Sequence, residues 1–175
     1  MLFKYHYTDK EKEQIIKSMV ILVDSREKQE HILEYFDKKK INYKIKKLDY
    51  GDYSFYIPAN EELHIFRDVH FSRDVIIERK NSLEELSGNL TKDRSRIEKE
   101  FSLAPKTKVL LIENASYDNI AKGEYDTQYN RKSFLGTLHS WMFKYDIPFM
   151  FMPDNSWSGL FIRLYFEYWL KSQLN

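Results

Sequence analysis

Residues 75–80 read VIIERK, an apolar run that ends in three charges. Val75, Ile76 and Ile77 are β-branched, a residue type that packs well on a pleated strand. Glu78, Arg79 and Lys80 follow with no glycine or proline to end the strand first. Side chains alternate along a strand, so Glu78 and Lys80 lie on the same side. The segment therefore predicts a strand anchored by its apolar half, with a carboxylate and an ammonium side by side at its end.

Outward from this strand, short apolar runs alternate with helical patterns. MVILV (19–23) reads as a buried strand that stops at Asp24. EKQEHILEYFDKKK (27–40) puts Ile32, Leu33 and Phe36 at helical spacing, with lysines in the last turn where the helix dipole favours them. Residues 43–57 alternate apolar and polar as a strand or hairpin interrupted by Gly51-Asp52, and 58–74 reads as a polar connection or insertion. After VIIERK come a helix over 82–104, the strand KVLLIEN (108–114), a loop over 115–132 and a helix over 133–145. The strand PFMFM (148–152) and a terminal helix from Ser156 complete the chain. This order predicts an α/β fold, a mixed β-sheet flanked by helices on both faces. Residues 1–18 read as a polar N-terminal extension and 19–175 as one domain.

Composition sets the outer limits. The chain has 175 residues, 42% hydrophobic and 31% charged, an ordinary globular composition. No apolar run approaches the ~18 residues of a membrane span, and the charged start lacks the apolar core of a secretion signal. With no cysteine, disulfides and thiolate zinc sites are excluded, which fits a reducing cytoplasmic setting. Lys plus Arg is 28 against 27 for Asp plus Glu, so a nucleic-acid interface requires charge segregated onto one face.

Three carboxylates stand where predicted strands end or bend: Asp24, Asp52 and Glu78. Loops at one edge of an open α/β sheet converge, and hard cations such as Mg²⁺ take oxygen ligands. Each acid also has a purely structural reading. Asp24-Ser25-Arg26-Glu27 matches a capping box, Gly51-Asp52 matches a turn or bulge, and Glu78 with Lys80 matches a surface ion pair. Taken together, GD followed by a strand ending in E-x-K follows the spacing of metal-dependent nucleases.

VDSRE (23–27), GDY (51–53) and IERK (77–80) resemble the signature segments of the XPF/Hef-type nuclease domain of the restriction-endonuclease-like superfamily. The likeness continues through Glu85, Leu86, Gly88, Leu90 and Arg94 and the strand VLLIE (109–113). It implies that Asp52 and Glu78 hold a catalytic Mg²⁺ or Mn²⁺, with Asp24 completing the cluster directly or through water. It implies that Lys80 orients the attacking water or stabilises charge, that Glu27 lies beside the acids, and that Arg26 and Arg79 support the site or contact phosphate. The family's acid after ERK falls on Glu84 by spacing, or on Glu85 if one residue is inserted; the downstream leucine–glycine register favours Glu85.

Four further cations are candidates for DNA contact. Arg94 falls on the apolar stripe of Leu83, Leu86, Leu90, Ile97 and Phe101 if the helix is continuous, whereas Lys92 and Arg96 project away. With the family resemblance, Arg94 is expected at the mouth of the site. Lys122, Arg131 and Lys132 stand among tyrosines in a predicted loop, a combination suited to single-stranded DNA and also to a solvated loop. The terminal segment SWSGLFIRLYFEYWLK (156–171) is apolar around so much of its circumference that it is either deeply buried or shared with a second copy. The expectation is a homodimer through this helix and the helix over 134–145. His31 and His139 carry no metal-binding pattern.

The resemblance thus implies a metal-dependent endonuclease acting on branched or flapped DNA in repair, recombination or replication. The expected chain is one nuclease domain without a helicase or helix–hairpin–helix module, bacterial or phage-encoded, and without a membrane role. The alternatives are a catalytically silent DNA-binding or scaffold domain, and a Holliday-junction or restriction-type nuclease.

Overall fold

A computed structural model of the protein describes residues 6–27 and 29–174. In chain order the elements are α1 (Asp9–Ser18), β1 (Val20–Val23), α2 (Glu30–Lys38), β2 (Tyr43–Ile45), β3 (Tyr53–Ile57) and β4 (Val69–His70). They continue with β5 (Val75–Lys80), α3 (Leu83–Lys92), α4 (Arg94–Leu103), β6 (Thr107–Glu113), α5 (Tyr117–Lys122), α6 (Arg131–Lys144), β7 (Phe149–Met152) and α7 (Ser158–Gln173).

The strands form one mixed sheet in the order β2-β1-β3-β5-β6-β7, with β4 paired to β3. VIIERK is β5, flanked by antiparallel β3 and parallel β6, and all six of its residues are in register with β6. The expected α/β sheet with helices on both faces is thus present. Side-chain alternation divides the core accordingly. Val75 and Ile77 join Ile21, Tyr53, Phe55 and Leu111 under α1, α2 and α7, while Leu110 and Ile112 pack under α3 to α6.

Four local expectations change. Residues 43–57 are no hairpin, because β1 lies between β2 and β3: β2 runs parallel to β1 after the α2 crossover, and β3 returns antiparallel on β1's other side. Within 1–18, Asp9–Ser18 forms α1, which Thr8 and Glu11 open as a capping box; Ile15 and Ile16 are buried in the first core. The polar stretch 58–74 buries Leu63, Ile65, Val69 and Phe71 there as well. The single helix expected over 82–104 is two, broken at Asp93, which caps α3 with φ −120° and ψ 16°.

The aromatic α7 resolves mainly as core. Ile162, Phe166 and Leu170 are fully buried, and Phe166 and Trp169 pack on Phe55 at ring distances of 5.3 and 5.8 Å. Gly159 lets α7 approach α2, since a Cβ there would stand 2.5 Å from the Tyr35 ring. No helix among the described residues is long and apolar enough to cross a membrane.

Candidate active site

The GD turn is built to meet β5. Gly51 has φ +69°, where a side chain is strained, and a Cβ there would stand 2.9 Å from Ile76 Cδ1 and 3.1 Å from the Ile77 carbonyl oxygen. With that space free, the Asp52 N–H donates to the Ile77 carbonyl at 2.9 Å. In return, the Arg79 N–H donates to Asp52 Oδ2 at 2.7 Å. Two motifs 27 residues apart thereby become one loop-and-strand unit.

Asp52 and Glu78 line a single cleft of about 220 Å³ with Gly51, Ile76, Arg26 and Arg96. Burial first, and then the charge of Glu78, push the Asp52 carboxyl well above the usual range. Lys80 Nζ donates to Glu78 Oε1 at 2.8 Å and lies 3.8 Å from Glu85 Oε1. Burial opposes the Lys80 charge, but Glu78, Asp52 and Glu85 together outweigh it, so the ammonium is held more firmly protonated than usual. Two carboxylates in one cleft, one of them raised in pKa by burial and then by its neighbour's charge, form a hard-oxygen donor set whose repulsion a divalent cation relieves. Among the described residues, no group of three His, Cys, Asp or Glu side chains is arranged to hold a metal.

Asp24 is engaged differently from its expected place in that cluster. It is fully buried, and its two oxygens accept from the Arg26 N–H at 2.9 Å, Arg26 Nε at 2.7 Å and the Leu48 N–H at 2.7 Å. Burial alone would raise its pKa; these hydrogen bonds outweigh burial and lower it. Asp24 ties the loop after β1 to the segment that leads into the GD turn, and it aims Arg26, whose side chain is 70% exposed.

Arg79 points to the sheet's other face, away from the cleft. Its guanidinium donates to Glu27 Oε1 at 3.0 Å and to Glu113 Oε2 at 2.7 Å, and Glu113 Oε1 meets His31 Nε2 at 3.0 Å. Burial pushes the Glu27 carboxyl up even beside this cation, while the two acids keep Arg79 charged. Arg79 thus holds β5 against β6 and the loop after β1, and has no exposed surface with which to reach a phosphate. Nothing in the sequence assigns Glu113 or His31 to this network. The parallel β5–β6 pairing brings Glu113 here, and no local signal announces it.

The two glutamates after ERK separate cleanly. Glu85 Oε2 accepts from the Asn81 N–H and its Oε1 lies near Lys80, whereas Glu84 turns away and accepts from the Asp126 N–H at 2.9 Å. Glu85 is therefore the acid beside the ERK cluster, and Glu84 docks the loop of residues 123–130.

The expected DNA cations are not gathered at the cleft. The apolar members of the projected stripe, Leu83, Leu86, Leu90, Ile97 and Phe101, all reach the second core across the break at Asp93, but Arg94, the first residue of α4, does not follow them. Arg94 pairs with Glu98 at 2.9 Å on an exposed surface, and Arg96, expected to project away, lines the cleft. Lys122 pairs with Asp118 in α5, and Arg131 and Lys132 are exposed in the first turn of α6; none of the three lines the cleft.

The ERCC4 domain family matches residues 23–163. No curated protein matches the chain. Among solved structures, XPF from Aeropyrum pernix is similar at 18% identity with a TM-score of 0.61, covering 85% of this chain and 64% of that one. XPF from Aeropyrum pernix in complex with DNA is similar at 18% identity with a TM-score of 0.62, covering 89% of this chain and 67% of that one. At that identity the likeness is one of fold, and this chain spans about two thirds of the length of those it matches.

Proposed function

This chain belongs to the ERCC4-domain family, and on that premise we propose that it is a metal-dependent endonuclease hydrolysing phosphodiester bonds in branched or flapped DNA. One observation carries the reading: the Gly51 turn brings the Asp52 carboxylate into the same cleft as Glu78, with Lys80 at 2.8 Å from the latter.

Asp52 and Glu78 would hold Mg²⁺ or Mn²⁺, which when bound supplies Lewis-acid polarisation and a water of lowered pKa. Lys80 places an ammonium beside Glu78, where it orients a water and faces the charge that develops on phosphorus-bound oxygens. Asp24 fixes Arg26 at the cleft, and Arg26 and Arg96 offer guanidiniums to a phosphate. Glu85 keeps Lys80 directed toward the acids, and Arg79 with Glu27 supports β5 from beneath. Arg94, Lys122, Arg131 and Lys132 lie outside the cleft and would meet DNA only beyond the cut site.

The reading is tested by cutting labelled flap, fork, four-way and plain duplex DNA with Mg²⁺, Mn²⁺ or EDTA. Asp52→Ala and Lys80→Ala should each lower metal-dependent cutting by ~100-fold or more. Cutting that neither variant changes would remove these residues from the chemistry. DNA bound but never cut would make the chain a silent binding domain.

A homodimer belongs to the same proposal, although most of the apolar stripe of α7 is buried within the chain. The supporting surface is on α6 and α7, where Phe143 is 83%, Tyr168 64% and Leu164 40% exposed. Light scattering should give a dimer for the wild type and a monomer for Phe143→Asp; a monomeric wild type at micromolar concentration would reject it.

A further inference from the structure

Residues 38–47 read KKKINYKIKK, six lysines in ten residues in a chain of net charge +1. All six side chains are exposed. Elsewhere lysines pair with acids on their own helices, as Lys17 does with Glu13, Lys122 with Asp118 and Lys171 with Glu167. Among the described residues none of these six lysines enters an ion pair, and Asp37, the nearest acid in sequence, acts electrostatically on the Tyr43 hydroxyl. Positive charge is thus concentrated and unneutralised at the β2 end of the sheet.

Register gives this charge a direction. Lys44 stands opposite Leu22 of β1, and Leu22 opposite Ser54 of β3. Lys44 therefore lies on the sheet face that also carries Glu78, opposite Leu110 of the second core. That core includes no residue of β1, β2 or β3; Leu22 and Ser54 on this face are buried, and at its β2 edge Lys44 and Lys46 are exposed. On the same side His70 stacks on Tyr56 at 4.9 Å, and burial first, then the charges of Lys46 and Lys44 against that of Asp68, lower its pKa. Three strand spacings separate β2 from β5, roughly 14 Å, or about four base-pair steps of duplex. The segment after Lys47 leads straight into the cleft, with Leu48 bonded to Asp24 and Asp49 at the cleft wall.

We propose that Lys44 and Lys46 at the exposed β2 edge of this face form a second DNA site, gripping the phosphate backbone of the duplex arm that leaves the cleft. The inference rests on the nuclease reading and assigns the arm's path. Unpaired lysines on an edge strand also discourage strand-to-strand aggregation, and the test separates the two roles.

Binding of a labelled fork to the full chain is followed by fluorescence anisotropy over a salt series in EDTA, which prevents cutting. Lys44→Ala/Lys46→Ala should weaken binding about tenfold or more near 0.1 M salt and lower the slope of log K against log salt by about 2. Lys44→Arg/Lys46→Arg should keep both values. A fork whose duplex arm stops about three base pairs from the junction should bind both proteins alike, being too short to reach β2. An unchanged slope with the long arm overturns the inference and leaves the nuclease reading standing. A wild type that binds no DNA overturns both. An alanine variant that aggregates while binding as tightly as wild type assigns the lysines to edge protection and overturns the inference.

Discussion

The Arg79 N–H donates to Asp52 Oδ2 at 2.7 Å while the Arg79 side chain runs to the opposite face and meets Glu113 at 2.7 Å. One residue therefore couples the acidic cleft to a buried ion-pair network beneath the sheet. The strand's alternation makes both contacts available to consecutive groups of the same chain.

The network should be costly to break. Arg79→Ala leaves Glu27 and Glu113 buried without their cation, at a cost of about 3–5 kcal/mol. Urea unfolding should show this loss. Adding Glu27→Gln and Glu113→Gln to the same variant should restore part of it, and no restoration would mean that lost packing, not lost charge pairing, is the cause.

Two glycines should respond differently to alanine. Gly51→Ala forces a side chain into positive φ at about 1–2 kcal/mol and presses on β5, so cutting should fall with stability. Gly159→Ala crowds Tyr35 and costs about 1–3 kcal/mol, but lies between α2 and α7, so the melting temperature should drop and cutting of folded protein should persist. Equal losses of activity per degree of melting in both would remove the special role of the GD turn.

The acidic pair makes a signed prediction in the metal-free protein. The folded Asp52 pKa lies above its unfolded value, so the ionised carboxyl is a penalty that is fully present at pH above the folded pKa and relieved as pH falls through it. Asp52→Asn should raise the metal-free melting temperature at neutral pH. Millimolar Mn²⁺ or Mg²⁺ should raise that of wild type and leave the variant unmoved. A variant less stable than wild type at neutral pH would contradict the repulsion.

Glu98 gives the opposite sign. Hydrogen bonds from Trp141 Nε1, Arg94 Nε and the Tyr145 hydroxyl hold its carboxyl down to about 2, from an ordinary 4.5. Its stabilisation is complete above the unfolded value and is lost as pH falls from there through about 2. Glu98→Gln should cost on the order of 2 kcal/mol at neutral pH, and less as pH is lowered through this window. Chemical denaturation at several pH values would show it, and a pH-independent cost would assign the effect to packing.

Much of this architecture was legible because its signals are local. The β-branched run before ERK, the strand that stops at Asp24 and the leucine spacing of α3 depend on residues a few positions apart, so periodicity alone placed them. GD and ERK could be recognised as partners through their family pattern, although nothing in the intervening residues shows them touching. Glu85 over Glu84 was also legible in the downstream register. Ile97 and Phe101 keep the predicted stripe across the break at Asp93, whereas Arg94, at the first position of α4, turns to Glu98, a pairing that apolar spacing does not encode. The aromatic α7 reads from sequence as core or as interface alike; how its circumference divides, with Ile162, Phe166 and Leu170 buried and Leu164 and Tyr168 exposed, depends on how much of it the sheet covers.

The sequence by itself determined the strands MVILV, VIIERK, KVLLIE and FMFM, the acids and lysine that stand at strand ends, and the glycine that lets the turn exist, since these follow from bond geometry and neighbouring residues. Only the tertiary structure decided that β1 lies between β2 and β3, that Arg79 belongs to Glu27 and Glu113, and that Asp24 bonds Leu48 and Arg26. It also decided that Lys44 shares a face with Glu78. Those pairings depend on strand order and register, and strand order is set by which faces can be buried together across the whole sheet.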